Sequence, residues 1–470
     1  MKRARMIGCV LTGCFFYSGC ALAPKYTRPK APVAPAWTAG QSGAQASATS
    51  SKSEAPDLKW QDFFDDEKLR RVIELAVQNN RDLRVAALNV EKVQALYRIQ
   101  RAQQFPAVDA SAAGQVYRLP GEMSVTGRPQ NAEKHAWNVG VTAWELDFFG
   151  RVRSLKDQAL EQFLASEQAR YATRITLIAA VASTYLTFAA DQESLRLAQA
   201  TFEAQKASYE LIVRRREWGL ASDLDVRQAQ SQVEAARVDI ARYTSQIALD
   251  RNALELLCGT AVPADWLPEF LGPESMLRDV APGTPSDTLL RRPDILMAEH
   301  RLKAAYANIG AARAAFFPRI ALTTGGGLMS SDLAALFQAG SRTWNFAPQT
   351  VAPVFDSGAR KASVKAAEAD RDIAVAEYEK AIQSAFREVS DALALRAKLV
   401  EQLDAQQALV KTLDEAYRLS QARYKAGIDS YLGVLVAQRS LYAAQQALVS
   451  LRLAHLSNLV TLYKALGGGA

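Results

Sequence analysis

At 470 residues, 49% hydrophobic and 22% charged, the chain is too apolar to be disordered. It is long enough for two to four ordinary domains or for one large repetitive one. Glycine (25) and proline (17) are modest in number, as a helix-rich protein requires. A net charge of +7 with a pI near 9.1 is mild for this length; excess Lys and Arg along solvated helix faces accounts for it, and no nucleic acid partner is implied.

The chain opens with an address. Lys2, Arg3 and Arg5 form a basic n-region, and Met6 to Phe16 is an apolar run too short to span a bilayer. Ser18-Gly19-Cys20 then places small residues before a cysteine, a pattern that resembles a bacterial lipobox with Tyr17 at the usual Leu position. Residues 1–19 therefore read as a lipoprotein signal peptide and Cys20 as the diacylated start of the mature chain. Cleavage at Leu11-Thr12-Gly13-Cys14 would leave an apolar run of about five residues, below the usual ~7. Ala21 after the cysteine permits the outer membrane. Cys9 and Cys14 leave with the signal, so Cys258 remains as a small apolar residue with no disulfide partner.

Residues 20–56 read as an extended, proline-punctuated segment followed by a Ser/Ala/Gly/Gln-rich linker. Helical periodicity starts near Asp65, with Ile73, Ala76 and Val77 on one face. A second helix runs from about Asp82 to Gln104 and stops at Phe105-Pro106. The period then changes to two. Val108, Ala110, Ala112, Gly114 and Val116 alternate with Asp109, Ser111, Ala113, Gln115 and Tyr117. After a polar loop from Leu119 to Glu133, Trp137, Val139, Val141 and Ala143 alternate with Asn138, Gly140, Thr142 and Trp144. These are strands of membrane-barrel type. From Arg151 to about Arg216 the helical pattern returns without proline or glycine, which is roughly 100 Å of helix at 1.5 Å per residue. Charges recurring along it argue against a membrane span. A return helix runs from Ser222 to about Cys258, and residues 263–286 form a proline-rich connector.

The cycle then repeats. Arg292-Pro293-Asp294-Ile295 answers Asn80-Arg81-Asp82-Leu83 at an offset of 212, as Phe317-Pro318 answers Phe105-Pro106. Ile320, Leu322 and Thr324 alternate with Ala321, Thr323 and Gly325, and Trp344-Asn345-Phe346 begins a fourth strand. Phe355-Asp356-Ser357-Gly358 and Lys464-Ala465-Leu466-Gly467 answer their counterparts at 208. The spacing predicts an internal duplication, with repeats at 57–262 and 287–470. Gly219-Leu220-Ala221-Ser222 and Gly427-Ile428-Asp429-Ser430 are also 208 apart (427 − 219). In each, a Gly ends one helical run and a Ser precedes the next, the signature of a helix stop followed by an N-cap. Each reads as the tip of a long helical hairpin. In the last helix Leu435, Tyr442, Val449, Leu456 and Tyr463 recur every seven residues. Leu432, Leu453 and Val460 add a second seam interrupted by Arg439 and Gln446, so coiled-coil packing is expected.

Four strands cannot close a barrel, and an open sheet edge is forbidden in lipid. The smallest barrels need about eight strands. Copies must therefore pool their strands, two giving eight and three giving twelve, and their helices into a tube continuous with the barrel. The expected fold is mainly α with a β membrane part: an internally duplicated protomer with four transmembrane strands and long coiled-coil helices. Copy number stays open on these grounds.

The ordered blocks support something more specific. Cys20-Ala21-Leu22-Ala23-Pro24-Lys25-Tyr26-Thr27-Arg28-Pro29, Trp60 with Phe63 and Leu69, Arg291-Arg292-Pro293-Asp294-Ile295, Phe355-Asp356-Ser357-Gly358, Arg423-Tyr424 with Gly427, and Leu462-Tyr463-Lys464-Ala465-Leu466-Gly467-Gly468 follow one another across the mature chain. In this order they resemble the outer-membrane efflux lipoproteins of the NodT type, the TolC-related outlets of tripartite resistance–nodulation–division pumps. The resemblance implies a homotrimer with a 12-stranded β-barrel and an α-helical barrel, anchored in outer-membrane lipid. It implies a periplasmic adaptor and an inner-membrane pump as partners, with the adaptor docking at Gly219, Leu220, Ala221, Ser222, Gly427, Ile428, Asp429 and Ser430. It further implies a closed gate just past the second tip. Family members often carry an Asp there; this chain has Val436, with Leu432 one turn earlier. An apolar constriction is expected, with Asp223, Asp225 or Asp429 nearby.

No enzyme and no cofactor are expected. Gly325-Gly326-Gly327 lacks the Lys-Ser/Thr of a phosphate loop, His135, His300 and His455 lack ligand spacing, and the six methionines do not cluster. The readings set against the efflux outlet are the outlet of a type I protein secretion system and a lipid-anchored periplasmic scaffold without a pore. A scaffold has no use for four alternating segments.

Overall fold

The computed structural model describes residues 22–35, 37, 59–272, 277 and 289–468. The signal segment, Cys20, the linker 38–56 and most of the connector beyond Gly272 lie outside the described residues. The named elements are helices α1 (Trp60–Phe63), α2 (Glu67–Asn79) and α3 (Arg81–Ala102), strands β1 (Val108–Leu119) and β2 (Gln130–Glu145), and helices α4 (Arg151–Glu217) and α5 (Asp223–Cys258). The second cycle supplies α6 (Pro293–Ala314), β3 (Arg319–Ser330), β4 (Arg342–Val351), α7 (Ala359–Lys425) and α8 (Tyr431–Ala465). The duplication is thus visible as two rounds of helix, hairpin and 67-residue helix, α4 and α7 having the same length. The chain divides into two compact units.

The first unit (up to Pro29, Asn89–Glu167, Met297–Tyr378) holds the sheet. Its four strands run antiparallel in the order β1-β2-β3-β4. Opposed residues share a face, so the register sorts the side chains. Val108, Ala110 and Ala112 stand opposite Val141, Val139 and Trp137. These continue into Thr324, Gly326 and Leu328, and then into Phe346 and Trp344. This apolar face is largely bare in the protomer: Val108 is 66% exposed and Trp344 79%. The other face carries Asp109, Ser111, Asn138, Thr343 and Asn345 around a concavity of about 360 Å³. On that side a Cβ on Gly140 would run into the Thr324 carbonyl, and one on Gly327 into that of Trp137. The backbones close in where the sheet curls, and only glycine fits.

One sequence expectation is corrected here. Alternation placed Trp144 on the polar face. A bulge between Val141 and Trp144 sets an extra residue against β3, so Trp144 pairs with Leu322 and joins the apolar side. Ala143 takes up the insertion at φ 52°, a left-handed conformation costly for a residue with a Cβ. Its N–H is satisfied by Thr323 Oγ1 at 3.0 Å. β2 is also longer than alternation implied, because polar residues 130–136 extend the hairpin beyond the apolar stretch.

In the same unit the N-terminal segment is held against α6. Arg28 makes a two-pronged contact to Glu299, at 2.7 and 3.3 Å, and the Tyr26 hydroxyl donates to it at 3.2 Å. Glu299 is buried and also receives Lys303. Burial pushes its carboxyl pKa up, but hydrogen bonds from Arg28 and Lys303 outweigh that and carry it below the usual carboxylate range. Ala23 packs so closely on Gly310 that a Cβ there would sit 2.8 Å from its methyl carbon.

The second unit (Lys30–Leu88, Gln168–Leu296, Glu379–Ala470) contains the principal apolar core. Trp60, Phe63, Phe64, Leu69, Val72, Ile73 and Ala76 are buried; Phe63 stacks on Tyr463 at 4.1 Å. Asp66 caps α2 through Lys68 and Leu69 and accepts the Tyr185 hydroxyl at 3.2 Å. The expectation that charges recur along α4 fails in this unit: Ile175 to Ala190 carries none. α4 contains an 18-residue window apolar enough to cross a bilayer, but Ile178, Val181, Tyr185, Leu186 and Phe188 are buried in protein.

A pair of latches repeats the duplication. The Asn80 amide donates to Leu257 O at 2.9 Å while its carbonyl caps Leu83 N. Its counterpart Arg292 donates to Ala465 O at 2.5 Å while gripping Asp294 and Glu388. Each long return helix thus has a carbonyl near its C-terminus tied to the residue just before a helix start. Of the heptad seams in α8, Leu435, Val449, Leu456 and Tyr463 are buried as expected, but Leu432 is 54% exposed. The second seam near the start of α8 instead follows Tyr431, Val434, Gln438 and Leu441, since these face the neighbouring helices.

Candidate functional site

The two hairpin turns lie in the second unit and share one helix-ending motif. α4 ends with Gly219 N donating to Arg216 O (2.9 Å) and Leu220 N to Arg215 O (2.8 Å). α7 ends with Gly427 N donating to Tyr424 O and Ile428 N to Arg423 O, both at 3.0 Å. This double bond pattern is a Schellman motif, which needs a left-handed residue; Gly219 and Gly427 have φ of 72° and 74°. The spacing that pointed to turns thus corresponds to a specific geometry at both.

Beyond the glycines the twins diverge. Ser222 and Asp225 form a capping box: Ser222 Oγ accepts Asp225 N, and the Asp225 carboxylate accepts Ser222 N–H at 2.9 Å. The counterpart of Asp225 is Gly433, which has no carboxylate to return a bond to the cap N–H, and Ser430 makes no side-chain cap bond. The exposed ion pair Arg216–Asp223, at 2.9 Å, corresponds to Tyr424 and Tyr431, which are buried with ring centres 5.5 Å apart. These tyrosines sit in a cluster with Ile212, Ala229, Val434 and Leu435 that joins both hairpins. Arg215 lies 4.8 Å over the Tyr424 ring. Burial pushes the Tyr431 hydroxyl up to about 12, which keeps it neutral. Asp429 accepts Arg423 through both carboxylate oxygens, at 2.5 and 3.0 Å. The guanidinium holds its carboxyl below the usual range.

The expected gate residues divide. Leu432 and Val436 are exposed, 54% and 57%, one turn apart on α8. The three acids expected near them are each committed to their own turn: Asp223 to Arg216, Asp225 to the Ser222 cap, Asp429 to Arg423. Two features escaped the sequence reading. Arg439 continues the exposed stripe beyond Val436, where the heptad reading treated it as an interruption. Trp218 (72% exposed) and Leu224 (65%) join Leu220 and Ile428 as bare apolar side chains at the turns. A tryptophan left in water at a helix end was the signal available for this. Exposed apolar clusters of this kind mark sites that meet a partner.

The outer membrane efflux protein family model matches residues 72–260 and 284–468, most of the chain and both cycles of the fold. This chain belongs to the outer membrane efflux protein family. The efflux protein is 50% identical over 455 residues to the toluene efflux pump outer membrane protein TtgC of Pseudomonas putida, covering 97% of this chain and 94% of that one. The antibiotic efflux pump outer membrane protein ArpC of Pseudomonas putida matches with the same identity and coverage. The open state of the MtrE outer membrane channel of Neisseria gonorrhoeae superposes with a TM-score of 0.85 at 36% identity, covering 96% of this chain and 98% of that one. The efflux protein is an outer membrane channel, the exit duct of an efflux system. Its family and relatives are transport proteins rather than enzymes.

Proposed function

We propose that three copies pool their four-stranded sheets into one 12-stranded barrel and their long helices into an α-helical barrel, and that this duct receives cargo from a periplasmic adaptor and an inner-membrane RND pump. Residues 57–262 and 287–470 act as its two repeats. The observation that carries the docking part is the pair of matched Schellman turns presenting Trp218, Leu220 and Ile428 bare. Rigid turns with exposed apolar side chains provide a preformed site for a protein partner. Gly219, Ala221, Ser222, Gly427, Asp429 and Ser430 fix the shape of that site. Leu432 and Val436 form an apolar periplasmic constriction when three copies meet. Small toxic compounds, organic solvents and antibiotics among them, are the cargo; relatives named for toluene and antibiotics support this class.

Lipidation at Cys20 anchors the channel. Ala23 is packed on Gly310 of α6, nine residues before β3. The described chain nearest Cys20 is thus held in the unit that carries the sheet, which supports a lipid anchor there.

The test is a double one. Trp218→Ala with Leu220→Asp is expected to abolish capture of the co-expressed adaptor while leaving outer-membrane level unchanged. A strain lacking the gene is expected to lose tolerance to toluene and to several antibiotics, restored by the wild type and not by the tip variant. Full complementation by the tip variant would remove the docking role.

A further inference from the structure

We infer that Arg118 and Arg342 form an anion site on the lipid-facing side of the barrel, one at each seam between copies, and that its ligand is the phosphorylated headgroup of a lipid in the outward leaflet. The inference rests on the reading that copies share one barrel, and adds a ligand which that reading does not contain.

Connectivity gives the direction. α3 leads into β1, α4 follows β2, α6 leads into β3 and α7 follows β4, so every long helix joins the same end of the sheet. In an outer-membrane channel of this fold that end faces the periplasm. The turns at 120–129 and 331–341 therefore point out of the cell.

Toward that end the apolar face changes character on each strand. On β1 it runs through Val108, Ala110, Ala112, Gly114 and Val116 and then reaches Arg118. On β4, read outward, it runs through Phe346 and Trp344 and then reaches Arg342. Steps of two keep both arginines on this face, and the pairing of Arg342 with Leu328 agrees. The inner strands change just beyond Trp137 and Leu328, to His135 and Ser330, which stand opposite each other. The eight steps from Val108 to Val116 span about 27 Å of strand. At a tilt of about 40° this is about 21 Å across the membrane, close to the ~25 Å apolar band of such barrels. Arg118 thus falls at the headgroup level. Trp137 and Trp344, 41% and 79% exposed, mark the boundary as interfacial tryptophans do.

The two ends of the sheet treat their cations differently. At the helical end Arg319 and Arg151 share Glu145, at 3.0 and 2.7 Å, so the chain itself neutralises them. At the outward end Arg118 and Arg342 are exposed and have no ion pair with a described residue. Glu133, on the same face, lies 3.3 Å from His135 instead. An unpaired cation on a lipid-facing surface is costly at mid-membrane and nearly free at the interface. There an anionic headgroup supplies the missing partner, and the planar guanidinium fork matches two phosphate oxygens at once. The edges bring the two arginines together. β1 and β4 are the outer strands of the sheet, so in a shared barrel Arg342 of one copy and Arg118 of the next stand on adjacent strands. Lys134, opposite Gln115 on the concave polar face, is a nearby cation turned away from lipid.

Native mass spectrometry of the detergent-purified, full-length oligomer, titrated with lipid A as the phosphorylated probe, tests the site. Wild type is expected to bind lipid A several-fold more tightly than the same lipid stripped of its phosphates. The double variant Arg118→Gln with Arg342→Gln is expected to bind lipid A about 30-fold more weakly than wild type, roughly fivefold for each guanidinium. Lys134→Gln is expected to bind as wild type does. Excess inorganic phosphate is expected to leave lipid A in place; displacement would assign the site to free phosphate and overturn the lipid as its ligand. Equal binding of the two lipid forms by wild type overturns the site without recourse to any variant. Wild-type affinity in the double variant, or an equal loss in Lys134→Gln, overturns it as well. A wild type that never appears as an oligomer overturns the shared barrel and the seam with it, whereas an oligomer indifferent to the phosphates overturns this site alone.

Discussion

At the scale of single residues, what matters is which backbone positions leave no choice of side chain. Gly219 and Gly427 have nothing within 4 Å of a Cβ added to them, so their constraint is conformational alone. Gly427→Ala is expected to weaken its turn by about 1 kcal/mol, the left-handed penalty, measured as faster hydrogen exchange at residues 424–430 with the barrel unaffected. Gly327 is constrained by space, because a Cβ there meets the Trp137 carbonyl. Asp191 and Asp250 show a different residue-scale effect. Burial, then the carboxyl of Asp250, pushes the Asp191 pKa up to about 6, and burial raises Asp250 as well. A raised carboxyl pKa favours the protonated form in the native state. The stabilisation is therefore complete below the unfolded value near 4 and is lost as pH rises through about 6. The melting temperature of Asp250→Asn relative to wild type should accordingly increase from pH 4 to pH 7. A constant difference over that range would exclude a shared proton.

Among elements, the duplication keeps geometry while changing chemistry. Asn80 and Arg292 hold equivalent carbonyls by different means. Arg292→Ala removes a buried guanidinium from two carboxylates and a carbonyl, so a loss of about 2–4 kcal/mol is expected. Asn80→Ala, a lost cap and one further hydrogen bond, should cost about 1–2 kcal/mol. Heat stability of the purified protein in detergent ranks the two, and the reverse order would refute the latch interpretation. The turns diverge likewise: one hairpin closes with an exposed ion pair, and its twin with buried tyrosines that contact the first. The second hairpin is therefore the one fastened to its neighbour, and exposed Leu432 and Val436 extend from its free face.

For the whole molecule, the sheet states the main constraint. An apolar outer face, a polar concave face and two unpaired edges cannot exist in lipid as a single copy. Association therefore precedes or accompanies insertion, and conduction belongs to the assembly. If Leu432 and Val436 form the constriction, Val436→Asp should raise resting conductance or cation preference in a planar bilayer, and Arg439→Glu should move selectivity in the same direction. Unchanged currents in both would place the constriction elsewhere. The sequence by itself determines whatever is periodic or local: helix and strand periods, the glycine stops, and the offset of 208 that makes two cycles of one. A side chain's period is set by the backbone geometry of its own element, so it survives in the sequence. Three things could be decided only by the folded chain. The bulge at Ala143 turns Trp144 to the apolar face because one inserted residue reverses the alternation beyond it. The uncharged stretch from Ile175 to Ala190 is buried in protein, although its composition alone would equally suit lipid. Asp223, Asp225 and Asp429 are bound at their turns rather than free, because a carboxylate's role depends on the cation or N–H that folding brings within 3 Å or so, and that neighbour is not encoded by spacing alone.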